Sequence, residues 1–132
     1  MKKLIPGMIA ALLGVAPAAA TDIPMDTIVL GSLDKVGGRV DTFNGPVGAP
    51  LFFGTLEIIA RTCTTRPPEE TPENAAFLEI YQLGQGAASV QEKKKIFSGW
   101  MFGSSPALSA LDHPVYDVWV LRCESSTASK SP

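Results

Sequence analysis

The sequence predicts an all-β domain, a small sandwich or open barrel of about six strands with one short helix and one disulfide. Three observations carry that expectation. From Lys35 onward, short runs of Val, Phe, Leu and Ile are punctuated by glycine and proline, which is the texture of strands joined by turns. The stretch from Phe97 to Cys123 holds both tryptophans, the single histidine and one of the two cysteines, and ends in the strongest strand signal of the chain. Cys63 and Cys123 form an even count with no CxxC spacing and no histidine cluster, which in an exported chain is most simply a structural disulfide.

Export is read from the N-terminus. Lys2 and Lys3 precede an apolar run from Leu4 to Val15, and Ala16-Pro17-Ala18-Ala19-Ala20 supplies small residues for a signal-peptidase cut after Ala18 or Ala20. The run is shorter than the roughly 20 residues of a membrane span and contains Pro6. No cysteine lies at the cut, so nothing marks a lipoprotein. Residues 1–20 are therefore expected to be a cleaved signal peptide, which places the mature protein in the periplasm. Loss of Lys2 and Lys3 takes the formal net charge from −2 to −4, nine basic residues against thirteen acidic ones. No basic stripe interleaves with aromatics, and Lys93-Lys94-Lys95 reads as the solvated lead-in to a strand, which sets nucleic acid aside.

Taken in order, residues 21–33 show no sustained period and read as a flexible lead. One domain is expected over residues 34–123, with a Ser-rich, disordered tail over 124–132. A first strand is expected at Val36 to Phe43, followed by a turn at Asn44-Gly45-Pro46. A second strand, Ala49 to Phe53, is joined through Gly54-Thr55 as a hairpin to a third, Leu56 to Cys63. Neither face of that third strand is cleanly polar, so it is expected to be covered on both sides. Thr64 to Asn74 is a loop with three prolines and three glutamates, a composition that excludes a sheet interior. A fourth strand runs from Ala75 to Leu83, a polar tip spans Gly84 to Glu92, and a fifth strand runs from Lys95 to Trp100 or Phe102. Ser104 or Ser105 is expected to cap a short helix with Pro106 in its first turn and Leu108 and Leu111 facing inward. Asp112-His113-Pro114 ends it, and Val115 to Cys123 is the last strand.

The chemistry on offer is sparse. His113 in an Asp-His-Pro break reads as a turn residue whose imidazole hydrogen-bonds locally. Zinc requires three or four convergent ligands, and one histidine with two paired cysteines does not supply them. Ser98, Ser104 or Ser105 with His113 and Asp112 or Asp117 would be a triad only by geometry, and no GxSxG elbow is present. Asp112, Asp117, Glu57 and Glu79 are too scattered to read as a glycosidase pair. Glu69, Glu70 and Glu73 lack the spacing of a calcium loop. A redox role for Cys63 and Cys123 would want thiols close in sequence or an activating base. The sequence implies no cofactor and no catalytic residue.

Two functional readings remain. In the first, Trp100, Met101 and Phe102, with Pro67 and Pro68 of the proline-rich loop, form a docking patch for a partner protein, since large aromatics dominate interface hot spots. In the second, a pocket around Trp100, His113 and Asp117 takes a small ligand or supports hydrolysis.

The segments Leu33-Asp34-Lys35, Phe53-Gly54-Thr55-Leu56, Arg66-Pro67-Pro68-Glu69, Pro72-Glu73-Asn74-Ala75-Ala76-Phe77, Phe97-Ser98-Gly99-Trp100-Met101-Phe102, Ser105-Pro106-Ala107-Leu108 and His113-Pro114-Val115-Tyr116-Asp117-Val118-Trp119 carry a resemblance. Over residues 33–123 the chain resembles the alphaproteobacterial domain of unknown function 2155 family. The resemblance implies export and a gene position near an accessory subunit of respiratory NADH:quinone oxidoreductase, but no reaction and no residue roles. The expectation is thus a non-catalytic periplasmic interaction or assembly module that docks on an envelope or inner-membrane complex, with NADH:quinone oxidoreductase the partner the resemblance suggests.

Overall fold

The computed structural model describes Gly14, residues 22–84 and residues 92–126. The rest of the expected signal peptide, most of the expected tip before Glu92 and the tail from Thr127 lie outside the described residues. Among the described residues, eight strands build two antiparallel sheets that face each other. The strands are β1 (Ile23–Pro24), β2 (Thr27–Asp34), β3 (Arg39–Pro46), β4 (Pro50–Phe53), β5 (Leu56–Thr65), β6 (Asn74–Leu83), β7 (Lys93–Phe102) and β8 (Tyr116–Glu124). One sheet places β6 between β5 and β7, and β4 and β1 share the outer edge of β5, β4 along Leu56 to Ile59 and β1 at Thr64 and Thr65. The other sheet has the order β3-β2-β8. The arrangement is a sandwich, not a closed barrel.

The core lies between the sheets. Ile28, Leu30, Val118 and Val120 face Leu56, Ile58, Ala60, Ala76, Leu78, Ile80 and Met101. Each fully buried Leu or Ile side chain contributes roughly 1.5–3 kcal/mol relative to exposure. Cys63 of β5 and Cys123 of β8 join the two sheets covalently with Cα atoms 5.6 Å apart. Both are buried, at 1% and 6% exposure, which suits a structural bridge and withholds the sulfurs from exchange.

Several expectations are corrected. Residues 27–33, read as part of a flexible lead, belong to the central strand of the second sheet, with Ile28, Val29 and Leu30 all buried. Periodicity is missing there because both faces are covered, so no apolar-polar alternation marks the strand. The strand placed at Val36 begins instead at Arg39. Lys35 to Gly38 form the turn, where the Asp34 carboxylate accepts N–H bonds from Val36 and Gly37 at 3.0 and 3.1 Å and Gly38 takes φ of 66°. Asn44-Gly45-Pro46 does not turn but continues β3, because Gly45 is needed where the Leu51 side chain crosses it. The chain passes between the sheets at Val47 to Ala49 instead, with Gly48 at φ 90°.

The expected helix is a single 3₁₀ turn, Pro106–Leu108, and Ser105 makes no side-chain cap. Leu111 is buried as expected, but Leu108 is 77% exposed. Glu124 closes β8, and Ser126 hydrogen-bonds the Asp26 carboxylate through both N–H and hydroxyl, at 2.7 and 2.8 Å. Order therefore extends past the expected start of the tail. The hairpin at Gly54-Thr55 and the double coverage of β5 are found as read, with even Glu57 only 8% exposed.

Candidate functional site

The topology gives the sandwich two ends. At one end lie the disulfide, both ends of the described domain, the loop from Arg66 to Glu73 and the corner after β7. At the other lie the turns at Lys35–Gly38 and Gly54–Thr55, and His113.

The disulfide end is tied by Asn74, a residue with no conspicuous sequence signal. Its side-chain oxygen accepts from Cys123 N–H at 3.0 Å, crossing from one sheet to the other, and its carbonyl accepts from Gly103 N–H at 2.8 Å. Glu73 completes the corner: its carboxylate accepts from Asn74 N–H at 3.0 Å, from Ser104 N–H at 3.2 Å and from the Ser104 hydroxyl. Burial by itself would raise the Glu73 carboxyl, but the Ser104 hydroxyl and N–H overcome it and hold the group below its ordinary value. Ser104 is thus a brace for the loop, and Glu73 is committed to it.

These bonds fix the loop containing Pro67 and Pro68 beside the end of β7. On β7, alternation places Met101 in the core at 2% exposure, which removes it from the expected docking patch. Trp100 and Phe102 point to the opposite, outer face. Trp100 remains 44% exposed and meets Phe77 of β6 edge to face, with ring centroids 5.7 Å apart. Phe102 is half-buried, Pro67 half-buried and Pro68 exposed. The structure therefore brings Trp100, Phe102 and the proline-rich loop to one end of one face.

Further along that face the surface is polar and internally paired. Arg61 donates to Glu79 at 2.9 Å, the Tyr81 hydroxyl donates to Glu79 at 2.6 Å, and Lys95 lies 3.5 Å from the same carboxylate. The Arg61 hydrogen bond, then that of Tyr81, lowers the Glu79 carboxyl from 4.5 to about 2. Lys93 pairs with Glu57 at 3.5 Å and lies over the Tyr81 ring. Lys93 and Lys95 are thus used within the sheet, and the aromatic end is the uncharged, partly exposed part of that face.

His113 lies at the other end. Its Nδ1 accepts from the N–H groups of Val115 and Tyr116 at 3.0 and 3.1 Å, so the ring proton sits on Nε2 and is donated to the Gln82 side-chain oxygen at 2.9 Å. Gln82 in turn donates to the Thr55 hydroxyl at 2.8 Å. The imidazole stacks on Tyr116, which meets Phe53 edge to face. Both ring nitrogens are engaged in joining β8 to the hairpin, which leaves neither for a nucleophile or a metal.

Asp117 is elsewhere again. It lines an open depression of about 380 Å³ with Pro106, Ala107, Ala110, Val118 and Trp119, and neither Trp100 nor His113 belongs to that lining. The three residues of the alternative pocket are not brought together. Trp119 is also outside the core. A bulge in the pairing of β8 with β2 lets Val118, Val120 and Cys123 all face inward, and the indole lies over Gly31.

These features define a disulfide-pinned antiparallel β sandwich whose histidine and Ser104 are engaged in bracing loops. Its sequence identifies the family. The profile described as "uncharacterized protein conserved in bacteria (DUF2155)" matches residues 28–123, and the chain belongs to that family. Among curated proteins it is similar to "uncharacterized protein RP359" of Rickettsia prowazekii (strain Madrid E), 23% identical over 94 residues, which is 70% of this chain and 57% of that relative. No solved structure matches it.

Proposed function

We propose that this protein is a non-catalytic periplasmic interaction module that docks on an envelope or inner-membrane complex through the Trp100 end of its outer face. The observation that carries the reading is the placement of Trp100. It is large, exposed and held by Phe77, beside Phe102 and a proline-rich loop whose position is fixed by Glu73 and Ser104. A preordered aromatic anchor loses little entropy on binding, which is the property of an interface hot spot. The signal-like N-terminus and the buried disulfide support an oxidising compartment. NADH:quinone oxidoreductase is the first complex to try as partner, on the family resemblance.

The test is affinity capture of detergent-solubilised inner membranes on immobilised mature protein, with bound complexes identified by mass. Retention of one membrane complex, reduced about thirtyfold in affinity by Trp100→Ala, is expected of a hot-spot residue. The substitution removes an exposed side chain, so the variant should keep its near-wild-type circular dichroism. A folded Trp100→Ala that captures as well as wild type would overturn the reading.

A further inference from the structure

We propose a second site, independent of the Trp100 docking end: the depression beside β8 binds an organic cation, an ammonium or guanidinium group carried on an apolar body. The depression encloses about 380 Å³, within the size range of small-ligand sites. Pro106, Ala107 and Ala110, from the segment joining β7 to β8, make one wall. Asp117 and Trp119 come from β8 itself, two positions apart, and so project from the same side of the strand.

The state of the Asp117 carboxylate selects the ligand. Elsewhere the half-buried or capping carboxylates are engaged: Asp26 with Ser126, Asp34 with its own turn, Glu57 with Lys93, Glu73 with Ser104, Glu79 with Arg61 and Glu124 with Arg122. The Asp117 side chain is half-buried beside an apolar wall with its oxygens open to solvent and, among the described residues, its carboxylate has neither a hydrogen-bond nor an ion-pair partner. An anion would be repelled there, and a neutral ligand would leave the charge uncompensated. A metal ion is poorly served, because one carboxylate is far from the six or more oxygens of a hard cation and no group of three ligating side chains occurs among the described residues. An organic cation suits both walls: its charge pairs with Asp117 and also interacts with the Trp119 indole, while its apolar body covers the proline and alanines.

The same chemistry is found in a free quaternary amine and in an arginine presented by a protein, and the experiment separates them. Purified mature protein, wild type, Asp117→Asn and the control Asp112→Asn, is titrated with choline and, separately, with N-acetyl-arginine amide. The neutral tert-butyl isostere of choline and the citrulline analogue are the uncharged comparators. The readout is the NMR signal of the Trp119 indole N–H, distinguished from that of Trp100 with the variant Trp100→Phe. The expected result is saturable movement of the Trp119 signal by one of the cations, about tenfold weaker for its neutral comparator and for Asp117→Asn, and unchanged for Asp112→Asn. Choline alone would identify a small-molecule site, and the arginine amide alone a pocket for a partner's side chain. No movement with either cation overturns the proposal, and so does movement of equal size with the comparators. The wild-type comparison of cation with isostere decides the matter even if Asp117→Asn fails to fold.

Discussion

Gly31→Ala is the most incisive single perturbation of this fold. Gly31 sits in the middle of β2 with Trp119 lying over it, and a Cβ at that position would stand 2.3 Å from Nε1 and 2.4 Å from Cε2 of the indole. Ordinary contacts between such atoms are about 3.5–4.0 Å, so the overlap exceeds about 1 Å and the ring has to leave its place. Overpacking of this kind costs about 2 kcal/mol. Trp119→Ala should also cost about 2 kcal/mol, less than a full core truncation because the ring is only half-buried. The double variant separates this mechanism from generic damage. With the indole gone, the new methyl group at position 31 has room, and an alanine in a strand is favoured over glycine by about 0.5–1 kcal/mol. Gly31→Ala/Trp119→Ala should therefore lose about 1.5 kcal/mol, well short of the additive total of about 4 kcal/mol. Urea denaturation followed by circular dichroism measures all three, with unchanged m-values as the condition for comparing them. Additive losses in the double variant would refute the claim that the glycine exists to seat the indole.

Two further outcomes follow from the disulfide and from the charge network. Replacing both Cys63 and Cys123 by alanine opens a loop of 60 residues and should lower stability by about 4 kcal/mol on the chain-entropy model. A loss below about 1 kcal/mol in guanidinium unfolding would show that Asn74 and the core hold the sheets together without it. Glu79 governs part of the acid response. Its folded-state value of about 2 lies below its ordinary 4.5, so the stability it lends is fully present above about pH 4.5 and is lost as pH falls towards 2. Glu79→Gln should flatten that part of the stability–pH curve, and an unchanged acid limb in the variant would assign the response to other carboxylates.

What the sequence shows of this protein depends on whether a residue's partner is local. The hairpin at Gly54-Thr55 is legible because a two-residue connection between apolar runs specifies it. The cysteine pairing is legible because only two cysteines exist. The β2 strand is not: Val29 and Gly31 are covered on the outer side through long-range contacts, one of them with Trp119, so the usual alternation is erased. Asn44-Gly45 carries a strong local turn signal that tertiary packing overrides, since Leu51 occupies the space beside Gly45. At the candidate site, the exposure of Trp100 follows from its place near a strand end, whereas the burial of Met101 next to it depends on the register of β7 against Ala76. Nothing near Asn74 in the sequence marks it as the tie to Cys123, and Asp117 acquires its neighbours Pro106, Ala107 and Ala110 only through the path of the loop before β8.

The joining of Asp26 to Ser126 has a mechanical consequence. The described chain enters β2 and leaves β8 at the same end, so tension applied through the two termini would first strip the short β1 from β5 and then peel β2 from β8 one rung at a time, the weak direction for a sheet. After the Asp26–Ser126 clasp and the Thr27–Glu124 rung, the next rung is Ile28 opposite Cys123. There the load entering from the C-terminal side passes through the disulfide into β5, which pairs with β4 on one side and β6 on the other. The bridge thus takes the 60 residues from Cys63 to Cys123 off the load path: a tethered copy can open its clasp and give up β2, while β6, β7 and β8, inside the covalent loop, cannot be drawn out.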